Sequence, residues 1–231
     1  MVRGMNPATA KTLLPEVYDR LLAAYGPQHW WPGATNPFEV CVGAILTQST
    51  AWTNVEKAMD QLKSADVLSL EDIHAIPVEK LAVLVHSSGY FNVKARKLKA
   101  LAQHVYDNHG GDLTSMLAQP WEELRAELLS VYGIGEETAD DIVLYAANAP
   151  SFVVDAYTKR IVNRLGIAPA KDDYESHRAQ FMGALPPDVP CYNEYHALIV
   201  KLGKDVCKKP SPLCQECPLQ DVCITGNRGP T

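Results

Sequence analysis

Apolar residues recur at helical spacing along most of the chain. Leu14, Val17, Tyr18 and Leu21 fall at i, i+3, i+4 and i+7, and Leu98, Leu101, Ala102 and Val105 repeat that order. Ala139, Ile142, Val143 and Ala146 do the same, as do Tyr195, Leu198, Ile199 and Leu202. Each set makes one buried stripe on a helix whose other face is polar. Phe38–Leu46 is apolar nearly all round, and no partner strand exists for it elsewhere, so it predicts a core helix. Phe152-Val153-Val154, between Pro150 and Asp155, is strand-like but too short to build a sheet. The pattern predicts an all-α protein.

Turn signals punctuate the pattern at Gly26-Pro27, Pro32-Gly33, Gly110-Gly111, Gly133/Gly135, Ala149-Pro150, Pro186-Pro187 and Pro210–Pro212. They divide the chain into about ten helices joined by short connections. Glu122–Val131 and a segment from Glu136 to about Ala147 read as two helices flanking Tyr132-Gly133-Ile134-Gly135. Two glycines around one aliphatic residue permit positive φ and close backbone approach, and the following helix start offers free N–H groups to one phosphate. A tight turn between packed helices would use the same residues. The tail Thr225–Thr231 is expected to fray.

Composition narrows the class. The 231 residues are 47% hydrophobic and 21% charged, enough for one large domain or two small ones and too apolar for a disordered chain. No apolar run approaches the ~18 residues of a membrane span, and the start MVRGMNPATAK lacks an apolar leader, so a cytoplasmic location away from membranes is expected. The net charge of −6 does not suggest a nucleic-acid partner, so any such reading rests on local charge. Residues 91–104 hold Lys94, Arg96, Lys97 and Lys99 without an acid. Lys159, Arg160 and Arg164 follow within 157–164, and Lys201, Lys204, Lys208 and Lys209 stand against Asp205.

The six cysteines fall into two kinds. Cys41 and Cys191 lie in apolar or aromatic surroundings and read as small buried hydrophobes. Cys207, Cys214, Cys217 and Cys223 form C-x6-C-x2-C-x5-C near the C-terminus, which points to a metal centre before disulfides. Zinc and an iron–sulfur cluster both accept four thiolates. The six- and five-residue gaps favour the wider cluster over zinc.

LLSVYGIGEETADDIVLYA, then VVDAYTKRIVNRLG, then the cysteine spacing resemble the endonuclease III branch of the helix–hairpin–helix DNA glycosylases. PFEVCVGAILTQSTAWTNVEKA (Pro37–Ala58) and GYFNVKARKLKAL (Gly89–Leu101) extend the likeness over nearly the whole chain, in the family's order. The resemblance implies a six-helix barrel at 29–149 and a second helical domain from 1–28 and 150–231. That second domain would carry a [4Fe–4S] cluster on Cys207, Cys214, Cys217 and Cys223, in the loop 207–223. Double-stranded DNA with a damaged base would lie across the cleft between the domains, bound by a monomer in the cytoplasm at the nucleoid.

By motif, Asp155 in VVDAY is the essential carboxylate. An anion there would steady the positive charge that builds on the sugar as an N-glycosidic bond breaks, and orient a water. An aspartate before Ala156–Leu165 is also a ready N-cap. Lyase members place a Schiff-base lysine in the hairpin, where this chain has Glu137, so the resemblance implies a monofunctional glycosylase with weak or absent lyase activity. Trp30 and Trp31 resemble the tryptophans before the first barrel helix, and Trp52 the aromatic after T-Q-x-T, in relatives that excise 3-methyladenine. Their faces suit an alkylated, cationic purine, although core packing is the other use of such residues. Trp121, outside any motif, reads as core. Gln48 would fill the gap left by a flipped base, with Tyr90 or Phe91 as the wedge where the family commonly has leucine. Gly133, Gly135, Lys94 and Arg160 complete the expected DNA contacts. A glycosylase for oxidised or deaminated bases, and a non-catalytic iron–sulfur DNA-binding module, are the competing readings.

Overall fold

The computed structural model describes residues 7–228, and among them every regular element is a helix. The chain divides into two compact units. One joins the chain up to Pro32 with the chain from Pro150 onward, and the other is Gly33–Ala149. Short helices make the total twelve α-helices among the described residues, with α1 at Pro7–Tyr25 in the first unit.

The Gly33–Ala149 unit is built around α2 (Pro37–Thr47). Asn36 starts it by accepting from the Glu39 N–H at 3.0 Å, and Pro37 supplies a helix-ready φ. All of Phe38–Leu46 is buried, which is why the segment has no polar face. Its one acid, Glu39, is matched by the Thr35 hydroxyl at 2.6 Å and Lys63 Nζ at 2.9 Å. Truncating Ile45 or Leu46 to Ala in such surroundings costs about 2–5 kcal/mol. Then come α3 (Trp52–Ser64), α4 (Leu70–Ala75), α5 (Val78–Leu84) and α6 (Phe91–His109). The predicted stripe of α6, Leu98, Leu101, Ala102 and Val105, is buried against its neighbours. Next are α7 (Leu113–Leu117), α8 (Trp121–Ser130) and α9 (Glu136–Asp141). Over Ile142–Ala146 α9 widens into π-type bonding, ending with the Ala147 N–H on the Ile142 carbonyl at 3.0 Å. Trp121 departs from expectation: as the first residue of α8 it is half-buried rather than core.

The other unit packs α1 against α11 (Tyr174–Ala184) and α12 (Val189–Asp205), with α10 (Ala156–Leu165) also on α12. Leu14, Val17 and Leu21 of α1 are buried as their spacing predicts. Residues 151–154 form no strand; they are buried in an aromatic core. Phe152 stacks on Phe181 at 4.1 Å and meets Tyr192 and Tyr195 edge-on. Tyr195 satisfies its buried hydroxyl by donating to the Leu14 carbonyl at 2.8 Å. Cys41 is buried as read, whereas Cys191, in the first turn of α12, is only half-buried. The tail is also better held than expected. The Thr225 N–H donates to the Arg164 carbonyl at 3.2 Å and Gly226–Arg228 makes a 3-10 turn; residues 229–231 lie outside those described. No helix among the described residues is long and apolar enough to cross a membrane.

Candidate DNA-repair site

The hairpin between α8 and α9 is made by backbone and braced from outside. Gly133 has φ +83, where a Cβ would also sit 2.3 Å from Lys97 Cγ, so two independent constraints select glycine. Gly135 differs from the sequence expectation: its φ of −101 and ψ of −179 are extended, and it serves as the N-cap of α9. Ile134 is buried between them. Across the hairpin, Arg125 of α8 makes a two-pronged ion pair with buried Asp140, 2.8 and 3.1 Å. Tyr132 stands 58% exposed at the tip.

Gln48, at the end of α2, is turned onto this hairpin. Its Nε2 donates to the Gly133 carbonyl at 3.1 Å and to Thr138 Oγ1 at 2.8 Å, while its Oε1 accepts from Lys97 Nζ. That corrects the expectation of a side chain presented to a base gap: both ends of the amide are used inside the protein. Lys94 is a second correction. It is only 2% exposed, and its ammonium donates to the Leu46 and Ser88 carbonyls at 2.8 and 2.6 Å. Burial, aided by the charge of Lys97, lowers its pKa to about 8. Lys99 is likewise spent on the His74 and Ile76 carbonyls. Of the four cations in 91–104 only Arg96 is exposed, so this segment is not a free basic face.

Tyr90 is 74% exposed at φ +44, immediately before α6, and Phe91 lies against His86 with ring centroids 4.5 Å apart. Trp52 opens α3 half-buried, and Glu137 is exposed on the first turn of α9.

In the other unit, Asp155 caps α10. Its Oδ1 accepts from the Thr158 N–H at 2.7 Å and the Thr158 hydroxyl at 2.8 Å. Its Oδ2 lies 3.9 Å from His196 Nε2, beyond hydrogen-bond distance, with the Asp155 side chain 12% exposed. His196 projects from α12. Burial lowers its pKa, against the pull of Asp155, and so favours the neutral imidazole. The Trp30 ring meets His196 edge-on at 6.5 Å and Trp31 edge-on at 6.2 Å. A run of aromatic, imidazole and carboxylate groups therefore starts at Trp31 and ends at Asp155. Sequence reading missed His196; its place beside Tyr195 on an otherwise apolar helix face was the available signal.

The four cysteines line one small cavity, walled further by Val206, Pro212 and Leu213. Arg160 is a third correction. Instead of facing phosphate, its guanidinium donates to the Cys207 and Gly203 carbonyls at 3.0 and 2.9 Å, and packs on Tyr157. Arg164 donates to the carbonyls of Cys207, Lys208 and Lys209 and to Cys207 Sγ at 3.1 Å. The Gly226 N–H points at Cys223 Sγ at 3.5 Å. Burial pushes the Cys217 thiol up to about 11, with the neighbouring sulfurs adding to it. Four thiols from one loop, two of them receiving N–H groups, fit a thiolate-bound metal centre whose positive charge offsets that burial.

Comparison with known proteins agrees with this geometry. Residues 42–187 match the model of the HhH-GPD superfamily base excision DNA repair proteins. A provisionally named DNA repair glycosylase of Methanocaldococcus jannaschii is 44% identical over 92% of this chain and 96% of its own. A trapped endonuclease III–DNA covalent intermediate superposes with a TM-score of 0.82 at 26% identity, covering 94% of this chain and 97% of that one. The 3-methyladenine DNA glycosylase of H. pylori bound to 1,N6-ethenoadenine superposes at 0.70 with 28% identity, over 84% and 96%. The chain is a member of the HhH-GPD superfamily of base excision DNA repair proteins, an endonuclease III-like DNA glycosylase.

Proposed function

We propose that this protein hydrolyses the N-glycosidic bond of alkylated purines such as 3-methyladenine in double-stranded DNA, and leaves the abasic strand uncut. The observation that carries the reading is the continuous set Trp31, Trp30, His196 and Asp155 within one unit, which joins indole faces to a carboxylate through a buried neutral imidazole. The similarity to a 3-methyladenine glycosylase supports it.

The chemistry follows from charge. A purine methylated at N3 or N7 is cationic, so it stacks on electron-rich indole and departs easily as a neutral base. What remains to be stabilised is the electron-poor sugar, and Asp155 supplies the negative oxygen. Oδ1 is fixed by Thr158, which aims Oδ2 and keeps it from relaxing away from the reaction. Burial favours the uncharged form of His196, which lies beside that oxygen as a neutral neighbour. Tyr90 serves as the wedge that occupies the stack when the base is flipped. Gly133 and Gly135 offer hairpin backbone to phosphate, with Gln48 and Lys97 holding its shape.

Glu137 occupies the place of a lyase lysine. A carboxylate forms no imine, so strand cleavage by β-elimination has no nucleophile there. Cys207, Cys214, Cys217 and Cys223 would hold a [4Fe–4S] cluster, which fastens the loop and supplies no step of the hydrolysis. The protein acts as a monomer in the cytoplasm, at the nucleoid.

The test is a panel of duplexes, each with one lesion: 3-methyladenine, 7-methylguanine, thymine glycol, uracil or 8-oxoguanine. Free alkylpurines are released and the strand stays intact, with no borohydride-trapped complex. Preferential release of an oxidised or deaminated base, or a trapped and nicked strand, would overturn the assignment.

A further inference from the structure

A second cluster, unrelated to base excision, lies where the end of α6 meets α8. His104 and His109 come from the last two turns of α6, and Glu127 comes from α8. Both imidazole Nε2 atoms are 2.6 Å from the same carboxylate oxygen, Glu127 Oε1. The three donor atoms all lie within 4.8 Å of one another, and the two rings are inclined at 47° with centroids 6.4 Å apart. The side chains are only 14–19% exposed, so they are shielded yet reachable from solvent.

The surroundings orient these donors. Gln119 Nε2 donates to Glu127 Oε2 at 2.6 Å, which turns the other oxygen toward the histidines. Asn108 Nδ2 lies 3.4 Å from His104 Nδ1 and donates to the His104 carbonyl at 2.9 Å, so the outer ring nitrogen has a polar neighbour.

We propose that His104, His109 and Glu127 bind a divalent transition cation of the zinc class. Two imidazoles and one carboxylate are a borderline donor set, suited to zinc, cobalt or nickel and not to calcium or magnesium. Tetrahedral zinc at ordinary bond lengths needs donors about 3.3 Å apart, so each nitrogen moves back from Oε1 by about 0.7 Å, within the reach of side-chain rotation. Solvent fills the fourth position. A cation here ties the end of α6 to α8, the helix that enters the hairpin. The site takes harder ligands than the thiolate loop and belongs to the other unit, so the two select different metals.

The experiment uses protein with its cysteine loop loaded, titrated with Zn2+ and, separately, with Co2+. One equivalent binds with micromolar affinity and raises Tm. Co2+ shows visible d–d bands without the sulfur-to-metal charge transfer of a cysteine site. Glu127→Gln, which keeps the shape, and His109→Gln each weaken binding at least tenfold while base release is unchanged. Absence of stoichiometric binding to the unaltered protein, binding that survives both substitutions, or a thiolate spectrum for the bound Co2+ overturns the proposal.

Discussion

Two helix entrances some twenty residues apart solve the same problem differently. α9 begins at Gly135, which has no side chain to cap with, and α10 begins at Asp155, which caps itself through Thr158. The hairpin before α9 is consequently braced by groups from other helices: Gln48, Lys97 and the Arg125–Asp140 pair. The groups that brace it are used up internally, and what it offers outward is backbone and the exposed Tyr132. Asp155 spends one oxygen on its own helix and keeps the other beside a buried imidazole. Shape is held at the first entrance, and a carboxylate oxygen is left uncommitted to the cap at the second.

Substitutions can separate these roles. Gly133→Ala forces a non-glycine residue to φ +83 and drives a Cβ into Lys97, so it should cost about 2–4 kcal/mol in denaturant unfolding. A cost near zero would mean that the hairpin relaxes freely and is not the rigid partner in the comparison. Lys94→Met orphans the Leu46 and Ser88 carbonyls and should cost about 2 kcal/mol at pH 7.

The same pair of proteins has a pH signature. With its pKa lowered to about 8 by burial, folded Lys94 gives up its proton before the unfolded chain does. Between about pH 8 and 10.4 the unfolded state binds more protons, so the unaltered protein gains stability relative to Lys94→Met as pH rises. A loss over that range would contradict the assignment.

At the second entrance the effects on stability are smaller. Asp155→Ala should cost about 1 kcal/mol as a lost cap, while Asp155→Asn, an equally good cap, should leave unfolding nearly unchanged. Glu137→Lys, on an exposed first turn, should leave stability unaltered and introduce a borohydride-trapped complex with DNA. No trapping would place position 137 away from the sugar.

Much of this was legible in the sequence. The stripes of α1 and α6, the nearly all-apolar α2 and the glycine hairpin follow from spacing and residue type. The cysteine loop was visible for the same reason: four thiols within seventeen residues leave few other uses. Charge was the poorest guide. Lys94, Lys97, Lys99, Arg160 and Arg164 look like a phosphate-binding face, but each donates inward to carbonyls, an amide or sulfur. A long cation beside a helix end or an irregular loop satisfies orphaned acceptors, and only tertiary structure tells that use from DNA binding. His196 and the His104–His109–Glu127 cluster were missed because their partners are distant in sequence or follow no motif.

The most direct test of the account is single-turnover release of 3-methyladenine by Asp155→Asn protein whose melting curve matches that of the unaltered enzyme. Loss of a charged oxygen that meets the developing sugar cation should slow release by about a hundredfold or more while binding to the lesion duplex persists. Excision at an undiminished rate would show that position 155 only starts a helix.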